Sequence, residues 1–421
     1  MDDRFLAYKI LNRIERDKAY SNITVDVVLN ENEATSAPFV CALVYGVIER
    51  KITIDFFLSK FLTQPIKKLN PQVLTILRMG VYQIKFMDKI PDSAAVNESV
   101  KLSKKVKCAF ASGLINSVLR KIASTNEMRL PETDNKIYDL SIKYSCPESL
   151  VEHYINDYGY IQAEKILSSS LGSAPLFIRV NTLKVKPEEL ISQLEQEGII
   201  AKKVENNETS LEIISGSAFK SECYKKGYFH AQDLASQTCI DSLDPQENEI
   251  VFDLCAAPGG KSFTIAEKMN NKGKIYSFDL YEHKIKLIND GANRLGIDII
   301  DAQIWDASVF NPQLPKADKV LCDVPCAGLG VIRRKPEIKY KDFTFVDKLC
   351  DLQYNILNNA SLYVKENGVL VYSTCSLSKK ENENICERFL SEHSDYKLDE
   401  MVTLIPHKDS DGFFFAKFIK E

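Results

Sequence analysis

The sequence lacks the features that mark membrane and secreted proteins. Its longest uncharged apolar stretch, Ala37–Ile48, is too short to cross a bilayer. The first residues, Met1–Arg4, include two aspartates and lack the basic start and apolar core of a signal peptide. These absences predict a cytoplasmic protein that makes no membrane contact.

Cysteine is present but lacks the spacing of a structural framework. The 11 cysteines are an odd number, with no Cys-x-x-Cys pair and no Cys/His spacing of a zinc site. We therefore predict no bound metal, and any special cysteine should have a chemical role. Eight of them are predicted to be buried in the core as small hydrophobic side chains, which is the commonest role of a free cysteine. These eight are Cys41, Cys108, Cys146, Cys223, Cys239, Cys322, Cys350 and Cys386.

Charge is distributed unevenly along the 421 residues, whose 45% hydrophobic content suffices for two or three domains. Residues 1–130 hold 20 Lys/Arg against 13 Asp/Glu, and the remainder holds 34 against 45. A basic module joined to an acidic one indicates that the first module meets a polyanion. Ordinary solvated helix faces are the alternative explanation.

The hydrophobic pattern predicts three successive modules. Residues 1–128 show helical spacing, residues 129–232 combine a linker with a small α+β module, and residues 233–421 alternate strand with helix. Modules of the middle type often bind RNA. The last part predicts a mainly parallel, doubly wound sheet. Its predicted strands are Ile250–Leu254, Lys274–Phe278, Ile299–Ile304, Lys319–Cys322 and Gly368–Tyr372, and its helices are Ser262–Met269, Glu282–Leu295 and Phe345–Val364.

The stretch Val251–Lys261 predicts a strand followed by a tight turn and a helix, which is a ligand-binding arrangement in open α/β sheets. A P-loop would need glycine where Cys255 stands, and the dinucleotide fingerprint has no match. Asp279 follows about twenty residues later, where a carboxylate meets ribose hydroxyls. A nucleoside cofactor such as S-adenosylmethionine fits best, with a structural turn or another nucleotide as alternatives.

The carboxyl ends of the predicted strands define the expected site. Two of these ends add a cysteine, Cys326 and Cys375, which would face one pocket. A thiolate beside a nucleoside cofactor indicates covalent catalysis on an electron-poor carbon such as cytosine C6. Because the target nucleotide must leave its stack, RNA that is single-stranded or opened by the protein is the natural substrate. For Asp306 and Asp323, also at strand ends, a cap or turn role is the alternative.

A basic segment follows the predicted site. It contains Arg333–Lys335, Lys339 and Lys341. Its position next to the pocket favours contact with RNA phosphates over a solvated surface.

Three motifs together resemble those of RNA cytosine-C5 methyltransferases, and within these the bacterial RsmB/Sun/Fmu family. They are Asp253–Lys261, Asp323–Gly330 with Arg333–Pro336, and Tyr372–Ser376. Further similar landmarks are Pro91–Glu98, Gly113–Arg120, Arg179–Asn181, Gln232–Gln237 and Asp411–Ala416. The resemblance implies an all-α NusB-like N-terminal bundle, a small α+β middle module and a C-terminal Rossmann-like class I methyltransferase domain.

The resemblance also implies roles for individual residues. Cys375 resembles the nucleophile that adds to C6, and Cys326 resembles the second cysteine, which assists elimination and product release. Asp323 would hydrogen-bond the cytosine beside the methionine end of S-adenosylmethionine. The residues implied to hold that cofactor are Cys255, Ala256, Ala257, Pro258, Gly259, Gly260, Lys261, Asp279, Asp306 and Asp323.

This sequence departs from the family pattern at two positions, because Val324 and Ala327 replace the usual alanine and serine. The lost hydroxyl puts in doubt any role it has in positioning the base or Cys326. We nevertheless predict a monomeric S-adenosylmethionine-dependent 16S rRNA (cytosine-C5)-methyltransferase. The alternatives are a transfer-RNA cytosine methyltransferase, a non-catalytic RNA-binding or antitermination factor, and a nucleotide-dependent ATPase, which Cys255 disfavours.

Overall fold

The computed structural model describes residues 2–17, 19–32, 34–125, 128–341 and 346–421, and the chain divides into two compact units. The first comprises Met1–Ser173 and Ile332–Lys341, and the second comprises Ala174–Val331 and Asp342–Glu421. The division into residues 1–128, 129–232 and 233–421 remains a proposal. No helix among the described residues is long and apolar enough to cross a membrane.

The first unit is helical, as its sequence spacing predicts. Leu6, Ile10 and Ile14 lie on one stripe of its first helix and are buried in a common apolar core. The helices are α1 (Asp3–Asp17), α2 (Ser21–Glu31), α3 (Ala37–Glu49), α4 (Lys51–Ser59), α5 (Pro71–Phe86), α6 (Asp92–Lys105), α7 (Ser112–Ala123), α8 (Lys136–Tyr144), α9 (Glu148–Tyr158) and α10 (Tyr160–Ser169).

A small antiparallel sheet opens the second unit. Its order is β2-β3-β1-β4, formed by β1 (Leu176–Val180), β2 (Ile200–Val204), β3 (Asn207–Ser215) and β4 (Phe229–Ala231). The helices α11 (Pro187–Gln196) and α12 (Glu222–Lys225) complete this module. An α+β module is therefore present where the pattern predicts one.

A seven-stranded mixed sheet follows, in the order β10-β11-β9-β8-β5-β6-β7. Its strands are β5 (Ile250–Asp253), β6 (Lys274–Asp279), β7 (Ile300–Ile304), β8 (Ala317–Asp323), β9 (Val364–Thr374), β10 (Tyr396–Leu404) and β11 (Phe413–Lys420). The accompanying helices are α13 (Leu234–Leu243), α14 (Gly260–Lys268), α15 (Glu282–Leu295), α16 (Val346–Ser361) and α17 (Glu383–Glu392).

The five predicted strands are present, while β10 and β11 were not predicted. Strand β11 pairs antiparallel with both β9 and β10, so the sheet is mixed. Its Phe413–Ala416 stretch is buried without polar alternation, and such runs do not by themselves distinguish strand from helix. The predicted helix Phe345–Val364 ends earlier, at Ser361, because Val364 already belongs to β9; Phe345 lies outside the described residues.

The order of the parallel strands places the ligand edge. Strand β5 pairs with β6 on one side and with β8 on the other. The strand order therefore changes direction between β5 and β8. Open α/β sheets bind their ligands beyond the carboxyl ends of the strands at this switch point. Those ends carry the Cys255–Lys261 turn and Asp323.

Buried polar contacts join the small sheet to helices α14 and α15 of the larger sheet. Arg179 of β1 contacts Glu267 of α14 at 2.7 Å, and the Asn181 amide donates to the Leu295 carbonyl at 2.8 Å. Burial lowers the pKa of nearby His230 to about 3, so this imidazole is neutral. The landmark Arg179–Asn181 thus packs the small module against the larger sheet.

Candidate active site

The turn after β5 has the geometry of a cofactor cradle. Gly259 has a φ of +110°, and a Cβ there would come within 2.4 Å of the Phe263 ring, so only glycine fits. At Gly260 the nearest atom to an added Cβ is 3.9 Å away, which leaves room at the start of α14. The Ser262 hydroxyl donates to Asp253 at 2.6 Å and ties the helix to the strand. The turn therefore leaves space at the start of α14, and the predicted role of Cys255–Lys261 in holding a nucleoside cofactor remains a proposal.

Two further predicted carboxylates differ in environment. Asp279 ends β6, next to β5, and its carboxylate accepts from the Leu280 amide at 2.7 Å and contacts Lys284 at 3.1 Å. Asp306 is exposed beyond β7 and accepts from both the amide and the hydroxyl of Ser308, at 3.0 and 2.6 Å. Asp306 thus makes the turn contacts that the alternative prediction describes, and contact with a cofactor remains a proposal.

The two predicted cysteines meet. Their sulfur atoms are 3.1 Å apart, because Cys326 and Cys375 follow the neighbouring parallel strands β8 and β9, in which Asp323 stands opposite Ser373. Contact with the Cys375 sulfur, together with burial, raises the pKa of Cys326 well above its usual value. Cys326 therefore keeps its proton at neutral pH and can donate it in a hydrogen bond to the Cys375 sulfur.

Asp323 is held beside the cysteines by two donors. The Lys261 ammonium lies 2.7 Å from one carboxylate oxygen, and the Ser373 hydroxyl donates to the other at 2.9 Å. Burial alone would lower the pKa of Lys261, but the charge of Asp323 outweighs it and the pKa is raised. Lys261 was predicted as a cofactor residue, and in the structure its ammonium is directed to Asp323.

The replacement of the usual serine by Ala327 leaves the backbone of this loop anchored. The Ala327 amide donates to a carboxylate oxygen of Glu381 at 2.8 Å, and Glu381 is fully buried. Glu381 was not predicted as a site residue from the sequence. It stands in the charged stretch Lys379–Asn384, and such a stretch ordinarily indicates a solvated surface.

The basic segment after the site differs from its prediction. Lys339 is fully buried in the first unit and donates to the Glu49 carbonyl at 2.8 Å, where α3 ends. Lys341 donates to the Tyr20 hydroxyl at 2.7 Å. The prediction that Lys339 contacts RNA phosphates is therefore wrong, since a lysine that satisfies the carboxyl end of a helix is not available at the surface. For Arg333–Lys335 this contact remains a proposal.

Most of the eight cysteines that were predicted to be small core side chains are buried. The buried ones are Cys108, Cys146, Cys223, Cys239, Cys322 and Cys386, while Cys41 and Cys350 are partly exposed.

Known proteins resemble the chain over its whole length. Residues 240–419 match a family model described as 16S rRNA methyltransferase RsmB/F, residues 1–124 match the NusB family, and residues 146–219 match an RsmF/B-like ferredoxin-like domain. The chain is 35% identical to a probable ribosomal RNA small subunit methyltransferase B of Bacillus subtilis (strain 168), covering 99% of this chain and 98% of that protein. The chain belongs to the RsmB/F family.

Solved structures agree with the RsmB/F assignment. The protein PH0851 superposes with a TM-score of 0.83 at 27% identity, covering 100% of this chain and 99% of that one. NSun6 from Pyrococcus horikoshii, solved with SFG, gives a TM-score of 0.61 at 25% identity, covering 65% of this chain and 98% of that one. These findings confirm the predicted family, the fold class and a methyltransferase that uses S-adenosylmethionine.

Proposed function

We propose that this RsmB/F protein transfers a methyl group to C5 of a cytosine in 16S rRNA through a covalent adduct between Cys375 and C6. The observation that carries the proposal is the 3.1 Å contact between the Cys326 and Cys375 sulfur atoms, beside Asp323 and at the switch point of the sheet. A non-catalytic scaffold has no need for two partly exposed thiols at this edge.

Cys375 is the proposed nucleophile. Carbon C5 of cytosine is a poor nucleophile, but addition of a thiolate at C6 converts the ring into an enamine whose C5 attacks an electrophilic methyl group. Bound S-adenosylmethionine would supply that methyl group as an electrophile and leave as S-adenosylhomocysteine. Loss of the C5 proton and elimination of Cys375 then release 5-methylcytosine.

Cys326 is proposed to assist this elimination. Because its pKa is raised by contact with Cys375 and by burial, Cys326 remains a thiol at neutral pH. The two cysteines then carry no more than one negative charge between them. That charge is needed on the Cys375 sulfur for its attack on C6. As Cys375 leaves C6, the neighbouring S–H group donates to the departing sulfur and stabilises it.

Asp323 and the turn after β5 orient the reactants in this proposal. The ion pair with Lys261 at 2.7 Å and the Ser373 hydroxyl fix the Asp323 carboxylate, which accepts a hydrogen bond from the cytosine. The Cys255–Lys261 turn would hold the cofactor, with Asp279 at its ribose hydroxyls and Asp306 near its adenine. An orientation fixed before binding lowers the cost of reaching the reactive geometry.

The substrate assignment is supported by the relatives, which carry the name small subunit methyltransferase B. The 20 Lys/Arg against 13 Asp/Glu of residues 1–130 fit contact with RNA. We propose a monomer that acts on 16S rRNA in the cytoplasm.

The test is incubation of the purified protein with tritium-methyl S-adenosylmethionine and unmodified 16S RNA, with transfer RNA in a parallel reaction. Label in 5-methylcytidine from 16S RNA alone is the expected result. Label in transfer RNA alone would overturn the substrate. If neither naked RNA nor small-subunit particles are labelled, the scaffold alternative gains support.

A further inference from the structure

Glu381 is a buried carboxylate that links the two cysteine loops. One carboxylate oxygen accepts from the Ala327 amide at 2.8 Å and from the Gln353 amide at 3.0 Å. The other oxygen accepts from the Ser376 hydroxyl. Ala327 directly follows Cys326 and Ser376 directly follows Cys375, so a single side chain holds the residues next to both thiols.

Neighbouring contacts fix this carboxylate in turn. Gln353 of α16 donates through the same amide nitrogen to the Pro325 carbonyl at 2.8 Å, which adds a second link to the Cys326 loop. The Tyr372 hydroxyl of β9 donates to the backbone carbonyl of Glu381 at 2.6 Å. The Asn382 amide donates to the Ser376 carbonyl at 3.0 Å. The segment before α17 is therefore joined to β9 and to the loops that carry both cysteines.

We propose that Glu381 is a positioning residue that holds Cys326 and Cys375 within contact distance of each other. The proposal rests on the two-cysteine chemistry proposed above and deepens it. A buried carboxylate that receives an amide and a hydroxyl from two different loops restrains both loops, because leaving either donor unpaired away from water is costly. Glu381 itself touches neither reacting atom.

If Glu381 positions the two loops, the variants Glu381→Ala and Glu381→Gln should differ in effect. Alanine removes all three hydrogen bonds and leaves the Ala327 amide without its partner. Glutamine keeps a carbonyl oxygen for Ala327 and Gln353, and its amide can donate to the Ser376 hydroxyl, which is able to accept. If positioning is the role, glutamine therefore restores most of what alanine removes.

Oxidative cross-linking measures the thiol separation without RNA or cofactor. Diamide oxidises the two thiols to a disulfide, and its nitrogen–nitrogen double bond takes up the two electrons and two protons. Peptide mass spectrometry distinguishes the Cys326–Cys375 product from products of the other cysteines. The Cys326→Ala protein is the blank. Glu267→Gln, at another buried glutamate of the same unit, is the matched control.

We expect Glu381→Ala to slow this cross-link at least about tenfold, since misplacement by an ångström costs up to about 100-fold in reactions between positioned groups. Glu381→Gln should stay within about threefold of the parent, and Glu267→Gln should match it, because both keep the hydrogen bonds of the site. Parent-like cross-linking in Glu381→Ala, or equal slowing in Glu381→Gln, would overturn the proposal.

A second pair of variants applies if Glu381→Ala does not fold. Ser376→Ala removes one contact of the carboxylate, whereas Ser378→Ala removes a buried hydroxyl of the same loop that makes no hydrogen bond in the structure. Slower cross-linking in the first variant alone supports the proposal, and equal rates in both contradict it. Because this assay needs no methylation, failure of the proposed function and failure of the positioning role give different results.

Discussion

The Lys261 ammonium lies 2.7 Å from the Asp323 carboxylate, so the turn after β5 and the end of β8 are joined by a partly buried ion pair. The two residues stand 62 positions apart in the chain. The pair sets the charge beside the two thiols, and its removal is the most direct test of the site's electrostatics.

Lys261→Met should lower the methylation rate strongly and reduce the free energy of unfolding by about 1–3 kcal/mol. The reason is that the Asp323 carboxylate, which is only 28% exposed, loses its ion-pair partner. Rapid-quench methylation and urea unfolding measure the two effects. Lys268→Met on the same helix, where the lysine pairs with the exposed Asp241, is the control and should retain activity. A fully active Lys261→Met enzyme would remove the ion pair from the mechanism.

Cys375→Ser should abolish methylation while cofactor binding is kept, because a serine hydroxyl at neutral pH is a far weaker nucleophile than a thiolate. Label in 5-methylcytidine and calorimetric titration with S-adenosylmethionine measure the two properties. Cys350→Ser, at another partly exposed cysteine, is the matched control. Methylation by Cys375→Ser at the rate of the parent protein would exclude Cys375 as the nucleophile.

Cys326→Ala should form the adduct with RNA but release it slowly, because the proposed donor to the departing sulfur is missing. The expected observation is a protein–RNA band that survives denaturing electrophoresis and disappears in the Cys326→Ala/Cys375→Ser double variant. Normal multiple turnover by Cys326→Ala would contradict the assigned role.

Stability should fall as pH rises from about pH 4 to about pH 7, in a manner that depends on Asp253. Burial raises the pKa of this carboxyl from 3.8 to about 7. The folded protein therefore binds a proton that the unfolded chain has lost, and the contribution present below pH 4 is lost between about pH 4 and pH 7.

The pH effect is tested with Asp253→Asn, in which the amide oxygen still accepts from Ser262. By linkage the parent should lose about 3 kcal/mol between pH 5 and pH 8 relative to the variant. Urea unfolding of both proteins at pH 5 and pH 8 measures the difference. An equal change in the free energy of unfolding between the two pH values for parent and variant would show that Asp253 does not titrate in this way.

Glu337→Ala should destabilise the helical unit by about 1–3 kcal/mol, because it removes a buried acceptor from the start of α2. The Glu337 carboxylate accepts from the Ser21 amide at 3.0 Å and from its hydroxyl at 2.7 Å. Thermal unfolding is the measurement, with Glu337→Gln as the variant that keeps one acceptor. An unchanged melting temperature would show that this segment is not anchored through Glu337.

The local pattern was sufficient to predict the main elements of the site. The apolar run ending in Pro258–Gly260 predicts strand, turn and helix, because proline and glycine mark a turn and the residues that follow have helical spacing. The parallel order of successive strands then predicts that Cys326 and Cys375 share one edge. The break at Gly159, whose positive φ separates α9 from α10, was not apparent from the sequence, because glycine is tolerated within helical patterns.

The sequence by itself determined the class of sheet, the strand-end residues and the family resemblance, since these depend on periodicity and on motifs within a few residues. Tertiary structure decided which charges are buried and which groups they meet. Lys261 binds Asp323, Lys339 satisfies the end of α3, and Glu381 joins the two cysteine loops. Lys339 and Glu381 occupy charged stretches that look solvent-exposed in sequence, whereas Lys261 stands in the predicted cofactor turn, where its pairing with Asp323 was not predicted. Their partners lie tens or hundreds of positions away, and only the packed chain supplies the hydrogen bonds that offset the cost of burying a charge.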